Sequence, residues 1–173
     1  SFRYTQDTID AELKKSKEDF ILHFRSAYTD DYPPAWMIAE ILPLGLLCRI
    51  YTNLKDNVIK KRVAQHFGLQ VPVFSSWIVI LAGLRNMCCH HCRTWNRELA
   101  TITTEPRRTK YGWIDSSRTD KRRMYYRICM IRYFLYTVSP NNSFKDKLKT
   151  LLAAYPNIDT AAMGFPSDWE SED

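Results

Sequence analysis

The sequence predicts an all-α protein, a bundle of about five or six helices. Apolar residues recur at helical spacings along most of the chain. Only five of its 173 residues are glycine, which is typical of a helix-rich chain. With 45% hydrophobic residues, the chain can bury one sizeable core. Because no internal repeat or boundary is visible, we predict a single domain over residues 1–173.

Proline, glycine and serine residues mark the bounds of the predicted helices. The Pro33-Pro34 pair ends the first helix, because proline cannot continue one. Pro43 and Gly45 should kink the second helix, Gly68 should close the third as a C-terminal cap, and Ser143 should cap the last. The helices are predicted over residues 7–28, 35–51, 56–67, 72 or 75 to about 99, 119–138 and 143–155.

A long basic loop is predicted over residues 101–120, followed later by an irregular, acidic tail over 156–173. From residue 107 to residue 127 there are eight Arg or Lys and two Asp, with four aromatic residues interleaved. Cations with aromatics suit RNA phosphates and unstacked bases. A solvated loop followed by an amphipathic helix explains the pattern equally well. The candidate RNA contacts here are Arg107, Arg108, Lys110, Arg122 and Arg123.

The composition narrows the class of protein. A net charge of +6 favours a polyanionic partner such as nucleic acid. The five cysteines form no paired framework, which is typical of free thiols in a reducing cytoplasm. No apolar run is expected to reach the roughly 18 residues that a membrane span needs, and no signal peptide opens the chain. We therefore expect a cytoplasmic protein without a membrane partner.

The most informative stretch is residues 84–97, hereafter the motif segment. It holds two histidines, three arginines and two asparagines without Gly or Pro. Projected on one helix, Asn86, His90, Arg93 and Arg97 fall within a stripe about 60° wide. His91 falls among apolar residues, where we expect it to be packed or to support the site.

Arg85 lies about 140° around the same helix from His90. One ideal helix does not bring these two side chains together. Either the helix is distorted at this point, or a second copy of the chain completes the site.

This set of side chains suits metal-independent cleavage of RNA. Histidine moves protons near neutral pH, and arginine matches phosphate oxygens. The ribose 2′-OH would attack the adjacent phosphate while arginine stabilises the added charge. The products would carry a 2′,3′-cyclic phosphate and a 5′-hydroxyl, and DNA would be spared. The plainer alternative is a solvated cationic helix face.

A zinc site is the rival chemistry. Cys88 and Cys92 are four residues apart with His91 between them, so three ligands could converge. A structural zinc site needs four. Burial as small apolar residues explains these cysteines better, and we predict no metal and no cofactor.

The residues from Arg85 to His90 match the Arg-x(4–6)-His motif of the HEPN ribonuclease superfamily. The longer string to Arg97 resembles the signature of the Abi (abortive infection) family, in particular its AbiD/AbiF-like members. Pro34-Ala35-Trp36-Met37 and Met163-Gly164-Phe165-Pro166 extend the resemblance over nearly the whole chain. Cys89 departs from the alanine usual in the family.

The resemblance implies an HEPN-like helical fold and a toxin-like endoribonuclease in phage defence by abortive infection. It implies catalytic roles for Arg85, Asn86 and His90, with two protomers pairing their motifs in a homodimer. Arg93 and Arg97 would contact RNA, and His91 and Asn96 would support the site.

A small noncoding RNA antitoxin is a further expected partner. Since the chain begins at Ser1 without Met, the resemblance also implies that the family's N-terminal region is missing. The alternative is a helical module that binds a structured small RNA without cutting it.

Overall fold

A computed structural model describes residues 2–171 of the chain. Within that range there are eight α-helices and no strand, which confirms the predicted all-α class. The count exceeds five or six because two predicted helices are each broken in two. The chain forms two compact units, Ser1–Leu54 and Lys55–Asp173, and the single domain over residues 1–173 remains a prediction.

The N-terminal unit contains four short helices, and both predicted helices in it are interrupted. At the first interruption, Ser16 Oγ accepts a hydrogen bond from the Glu18 backbone N–H at 3.3 Å, a local turn that competes with the helix. At the second, Pro43 lacks the N–H needed to continue a helix and instead precedes a new one. The four helices are α1 Phe2–Lys15, α2 Asp19–Ala27, α3 Ala35–Ile41 and α4 Leu44–Asn53.

The C-terminal unit holds the other four helices and two short 3₁₀ turns. Asp56 caps the first helix, since its Oδ1 accepts from the N–H groups of Val58 and Ile59 at 2.7 and 3.1 Å. Gly68 ends that helix at φ +66°, so the predicted glycine cap is confirmed. The elements are α5 Asn57–His66, α6 Val71–Cys89, α7 Met124–Val138, α8 Phe144–Ala154, and the turns Ala161–Met163 and Trp169–Ser171.

The starts of α7 and α8 are determined by side-chain hydrogen bonds to the backbone. Helix α7 begins at Met124, five residues later than the predicted start at 119, because Asp120 Oδ1 holds the Arg122 N–H at 2.8 Å in a local turn. Helix α8 begins after Ser143 as predicted. The first free N–H, that of Phe144, is nevertheless bound by Asn142 Oδ1 at 3.1 Å, so the neighbouring asparagine supplies the cap.

Aromatic side chains on α6 and α7 form the core of the C-terminal unit. Trp77 is fully buried and meets Tyr133 edge to face, with ring centroids 5.5 Å apart. The ring centroid of Trp113, from the long loop, lies 4.6 Å from that of Trp77. Tyr125 and Tyr126 are buried. The rings of three of the four interleaved aromatics are therefore packed within this unit, and RNA binding by the segment stays a prediction.

Helix α6 ends at Cys89, about ten residues before the predicted end at Leu99. His91 adopts a left-handed φ of 54°, and the Cys92 N–H turns back to the Met87 carbonyl at 2.9 Å. This is a helix-terminating turn of the kind that glycine usually makes. Histidine is enriched in the left-handed region relative to most residues, so the helix stops without a Gly or Pro.

Residues 97–110, hereafter the return segment, run antiparallel along α6 from its C-terminal end towards its N-terminal end. The Thr104 N–H donates to Ser76 Oγ at 3.2 Å, and Trp77 Nε1 donates to the Thr104 carbonyl at 3.0 Å. Nearer the start of α6, Gln70 Nε2 donates to the Arg108 carbonyl at 2.9 Å. The segment is irregular, as predicted from residue 101 onwards, yet side-chain hydrogen bonds from α6 fix its path.

Candidate functional site

The proposed catalytic residues lie at the C-terminal end of α6 and are all exposed. Arg85 Nη1 donates to Asn86 Oδ1 at 3.4 Å, and the His90 N–H donates to the Asn86 carbonyl at 2.9 Å. In the part of the chain that the structure describes, the His90 imidazole makes no hydrogen bond. Since the helix is regular through Cys89, Arg85 and His90 remain about 140° apart around its axis.

The early end of α6 separates the residues that one helical stripe was expected to align. Asn86 belongs to the helix and His90 is its capping residue, but Arg93 and Arg97 follow the turn. Both arginines are exposed, and neither has an ion-pair partner among residues 2–171. Their positions are set by the turn at His91 and not by helical periodicity.

The two residues predicted to support the site lie elsewhere. His91 is exposed in the left-handed turn, so the prediction that it is packed is wrong. Asn96 is half-buried, and its Oδ1 accepts a hydrogen bond from Arg123 Nη1 at 3.5 Å. The structure thus joins Asn96 to the start of α7 and not to His90.

Three of the predicted RNA contacts lie near the opposite end of α6. Arg108 and Lys110 line a cleft of about 520 Å³ together with Lys61 from α5, and no carboxylate lines it. Arg107 is exposed next to Arg108. This basic cleft reaches Val71, about 27 Å along α6 from its last residue. An RNA that touches both the cleft and His90 must be extended.

Arg122 and Arg123 make contacts within the chain. Arg122 Nη1 lies 2.6 Å from Glu98 Oε1, and Arg123 Nε lies 3.8 Å from Asp120 Oδ2. Arg123 also packs against Gly164, where an added Cβ would come within 2.7 Å of the arginine's own Cβ. These contacts hold the return segment and the tail against the start of α7, and both charges are partly neutralised by carboxylates.

One residue that the sequence analysis did not single out is Arg127. Its side chain is fully buried, and burial lowers the pKa of its guanidinium. Nη2 donates to the Thr101 carbonyl, Nη1 lies 3.6 Å from Met130 Sδ, and Nε has no partner. No carboxylate pairs with it among the described residues. Arg127 lies three residues from both Met124 and Met130, which are buried, and this helical spacing is the sequence feature that places it on the core face of α7.

The thiols of the motif segment are exposed. Cys88, Cys89 and Cys92 lie at the surface, whereas Cys48 and Cys129 are buried. The prediction that the motif cysteines are buried as small apolar residues is therefore wrong. Cys92 Sγ lies 3.9 Å from the His90 carbonyl. Over residues 2–171, no group of three or more His, Cys, Asp or Glu side chains is placed to hold a metal ion.

Helix α6 is also long and apolar enough to cross a membrane by length and composition. Core helices of globular proteins pass the same test. Its contacts with the return segment and with α7 give it a core role in the C-terminal unit.

A family model described as Abi-like protein matches residues 2–96, more than half of the 173 residues. The chain therefore belongs to the Abi-like protein family, which links it to abortive infection, a defence against phage. The match includes Arg85, Asn86 and His90. No curated protein and no solved structure matches the chain.

Proposed function

We propose that this Abi-like protein is a metal-independent endoribonuclease of the HEPN type, related to the AbiD/AbiF-like proteins. The observation that carries the proposal is the exposed set of Arg85, Asn86 and His90 at the end of α6, inside the segment that the family model matches. The His90 imidazole is not engaged by the described part of its own chain, so it is free to exchange protons with a substrate.

The proposed reaction needs only the substrate and these side chains. The ribose 2′-OH attacks its own 3′-phosphate, a bond forms between O2′ and phosphorus, and the bond from phosphorus to O5′ breaks. His90 assists the proton transfers, and Arg85 stabilises the extra negative charge on the phosphorane. Asn86, one turn before His90, orients the ring or the phosphate. DNA lacks the 2′-OH and is not cut.

The site is proposed to be shared between two copies of the chain. Arg85 and His90 leave α6 in directions about 140° apart, so a phosphate held by one is not well placed for the other on the same helix. A two-fold pair of motif segments would bring Arg85 of one protomer near His90 of the other. The homodimer is therefore part of the catalytic proposal.

Exposed cations extend the substrate path. Arg93 and Arg97 flank the catalytic residues, and the basic cleft of Lys61, Arg108 and Lys110 can hold a more distant part of the same RNA. We propose bacterial cytoplasm as the place of action and a small noncoding RNA as the antitoxin. Both follow from the family resemblance.

The test is cleavage of a labelled single-stranded RNA in the presence of EDTA. The wild-type protein is expected to cut RNA, but not the matching DNA, and to leave cyclic phosphate ends. His90→Ala should abolish cleavage while RNA affinity stays within a few fold. The control is His23→Ala, which removes an equally exposed histidine of α2 and should cut normally. Full activity in the His90→Ala protein would overturn the assignment.

A second candidate is a binding module that holds structured RNA without cutting it. The basic cleft favours this alternative, because three cations and no acid gather about 27 Å along α6 from its last residue. In the same assay, tight binding without cleavage by both the wild-type and the His90→Ala proteins would support the module and reject the nuclease.

A further inference from the structure

A second cavity, of about 350 Å³, lies between α6 and the return segment. Its walls are largely apolar and come from Val79, Ile80, Leu84 and Met87 of α6, together with Leu99. The volume is at the lower end of the range for small-ligand sites, about 300–1,000 Å³. A flat, weakly polar group of the size of a nucleobase fits such a space.

The charge around this cavity is positive. Arg97, Glu98 and Arg127 line it, but the Glu98 carboxylate is paired with Arg122 at 2.6 Å. Arg97 has no ion-pair partner in the described chain, and Arg127 is buried without a carboxylate. Because Arg127 is inaccessible to solvent, it acts through its field, which is strong where the surroundings exclude water. The cavity therefore favours a ligand that joins an apolar ring to an anion.

Gly83 provides an independent observation. It lies inside α6 and lines the cavity, although glycine weakens a helix interior. A Cβ added at this position would meet nothing within 4 Å, and the backbone does not adopt a positive φ. Neither packing within the chain nor backbone conformation requires glycine here. What the missing side chain provides is open space on the cavity side of α6.

The cavity also lies on the His90 side of α6. Gly83 and Met87 precede His90, the capping residue, by seven and three residues, which places them within about 60° of it around the helix axis. We propose that this cavity binds one nucleotide of a single-stranded RNA, with the base between α6 and Leu99 and the phosphate at Arg97. The inference rests on the proposed function, since it names the subsite that holds the nucleotide next to the cleaved phosphate.

The test is calorimetric titration of the full chain with the four nucleoside 3′-monophosphates. At least one should bind the wild-type protein. Gly83→Leu should weaken that binding by at least about tenfold, because the new side chain occupies the cavity. The matched control is Gly45→Leu, which adds the same side chain at an exposed glycine of α4 that also has nothing within 4 Å of its Cβ position. It should bind normally.

A second variant tests the phosphate contact. Arg97→Gln should weaken nucleotide binding by about tenfold and leave the binding of the corresponding nucleoside, which has no phosphate, unchanged. Equal losses for nucleotide and nucleoside would overturn the assignment of the phosphate to Arg97.

The subsite would be overturned if none of the four nucleotides binds, or if Gly83→Leu binds them as the wild type does. It would also be overturned if Gly83→Leu loses nucleotide binding and at the same time changes its oligomeric mass in sedimentation. The last would make the cavity an interface between copies. Failure of the nuclease proposal is distinguishable, because a protein that cuts no RNA but loses nucleotide binding on Gly83→Leu retains the subsite.

Discussion

At the scale of single residues, the least expected feature is the buried Arg127, which lines the cavity beside α6. Its guanidinium is held by a backbone carbonyl and a methionine sulfur, and no carboxylate compensates it within the described residues. A buried charge without a countercharge opposes folding. Its position beside the cavity is consistent with the anion site proposed above.

Two substitutions of Arg127 distinguish the effect of its charge on stability from the effect of its packing. Arg127→Met keeps most of the volume and removes the buried charge, so we expect the free energy of unfolding to stay equal or rise by about 1–2 kcal/mol. Both variants lose the donor to the Thr101 carbonyl, but only Arg127→Ala leaves a void, which should cost about 3 kcal/mol. Urea unfolding measures both. Equal destabilisation by the two variants would show that the charge itself holds the fold.

The exposure of the thiols gives a second prediction at this scale. Cys88, Cys89 and Cys92 should react with an aromatic disulfide reagent in the native protein, whereas Cys48 and Cys129 should react only after unfolding. Burial also raises the pKa of the Cys48 thiol, which lowers its reactive thiolate fraction. The absorbance of the aromatic thiolate released from the reagent gives the number of cysteines that have reacted. Five fast thiols in the native state would contradict the structure.

At the scale of elements, the end of α6 decides where the motif side chains point. The turn depends on a left-handed conformation at His91, which is unfavourable for a residue with a Cβ. The Cys92 N–H then closes the turn on Met87. His90 and Arg93 lie on either side of this turn, so its geometry positions the catalytic residue relative to the cations that follow.

His91→Gly tests this turn directly. Glycine adopts a positive φ freely, so we expect the variant to be more stable by about 0.5–1 kcal/mol and to cleave RNA as the wild type does. His91→Val should be destabilised, because a β-branched residue is strained at positive φ. Thermal unfolding compares them. A glycine variant less stable than the valine variant would reject the left-handed turn.

The junction of α5 and α6 carries a related prediction. At Gly68, φ is +66° and an added Cβ would lie 2.1 Å from the Cβ of Lys110. Gly68→Ala should therefore destabilise the protein by about 2 kcal/mol or more and loosen the basic cleft. Gly45→Ala, in the open helical position, should be neutral or stabilising. Denaturant unfolding of both variants provides the comparison, and equal stabilities would contradict the close approach.

At the scale of the whole molecule, the central question is whether one chain holds a complete site. The regular helix keeps Arg85 and His90 on different sides of α6, which led us to propose a site shared by two protomers. A shared site has a consequence that a single-chain site lacks, because two inactive variants can complement each other.

Arg85→Ala and His90→Ala should each be inactive alone. Refolded together, they should recover about a quarter of wild-type cleavage, since about half of randomly paired dimers are mixed and each mixed dimer has one intact site. The assay is RNA cleavage by the refolded mixture, with the double variant Arg85→Ala/His90→Ala plus wild type as a dilution control. No recovery in mixtures that form dimers would place both residues in one protomer's site.

The sequence by itself determined the features that depend on local backbone chemistry. The third predicted helix begins at Asp56 and ends at Gly68 as predicted, and Pro43 breaks the second helix where a kink was predicted. Caps, positive φ and the missing N–H act within a few residues. The all-α class followed from the same local periodicity. The motif residues Arg85, Asn86 and His90 were identified from their spacing, and their catalytic roles remain predictions.

Only the tertiary structure decided which polar and aromatic residues face the core. Trp113 in the long loop is packed on Trp77, Arg127 in a basic run is buried, and α6 stops at a histidine that sequence rules do not mark as a stop. Each outcome depends on contacts between residues far apart in the chain, or on a turn stabilised by its surroundings. Local patterns cannot supply that information, because burial is a property of the packed molecule.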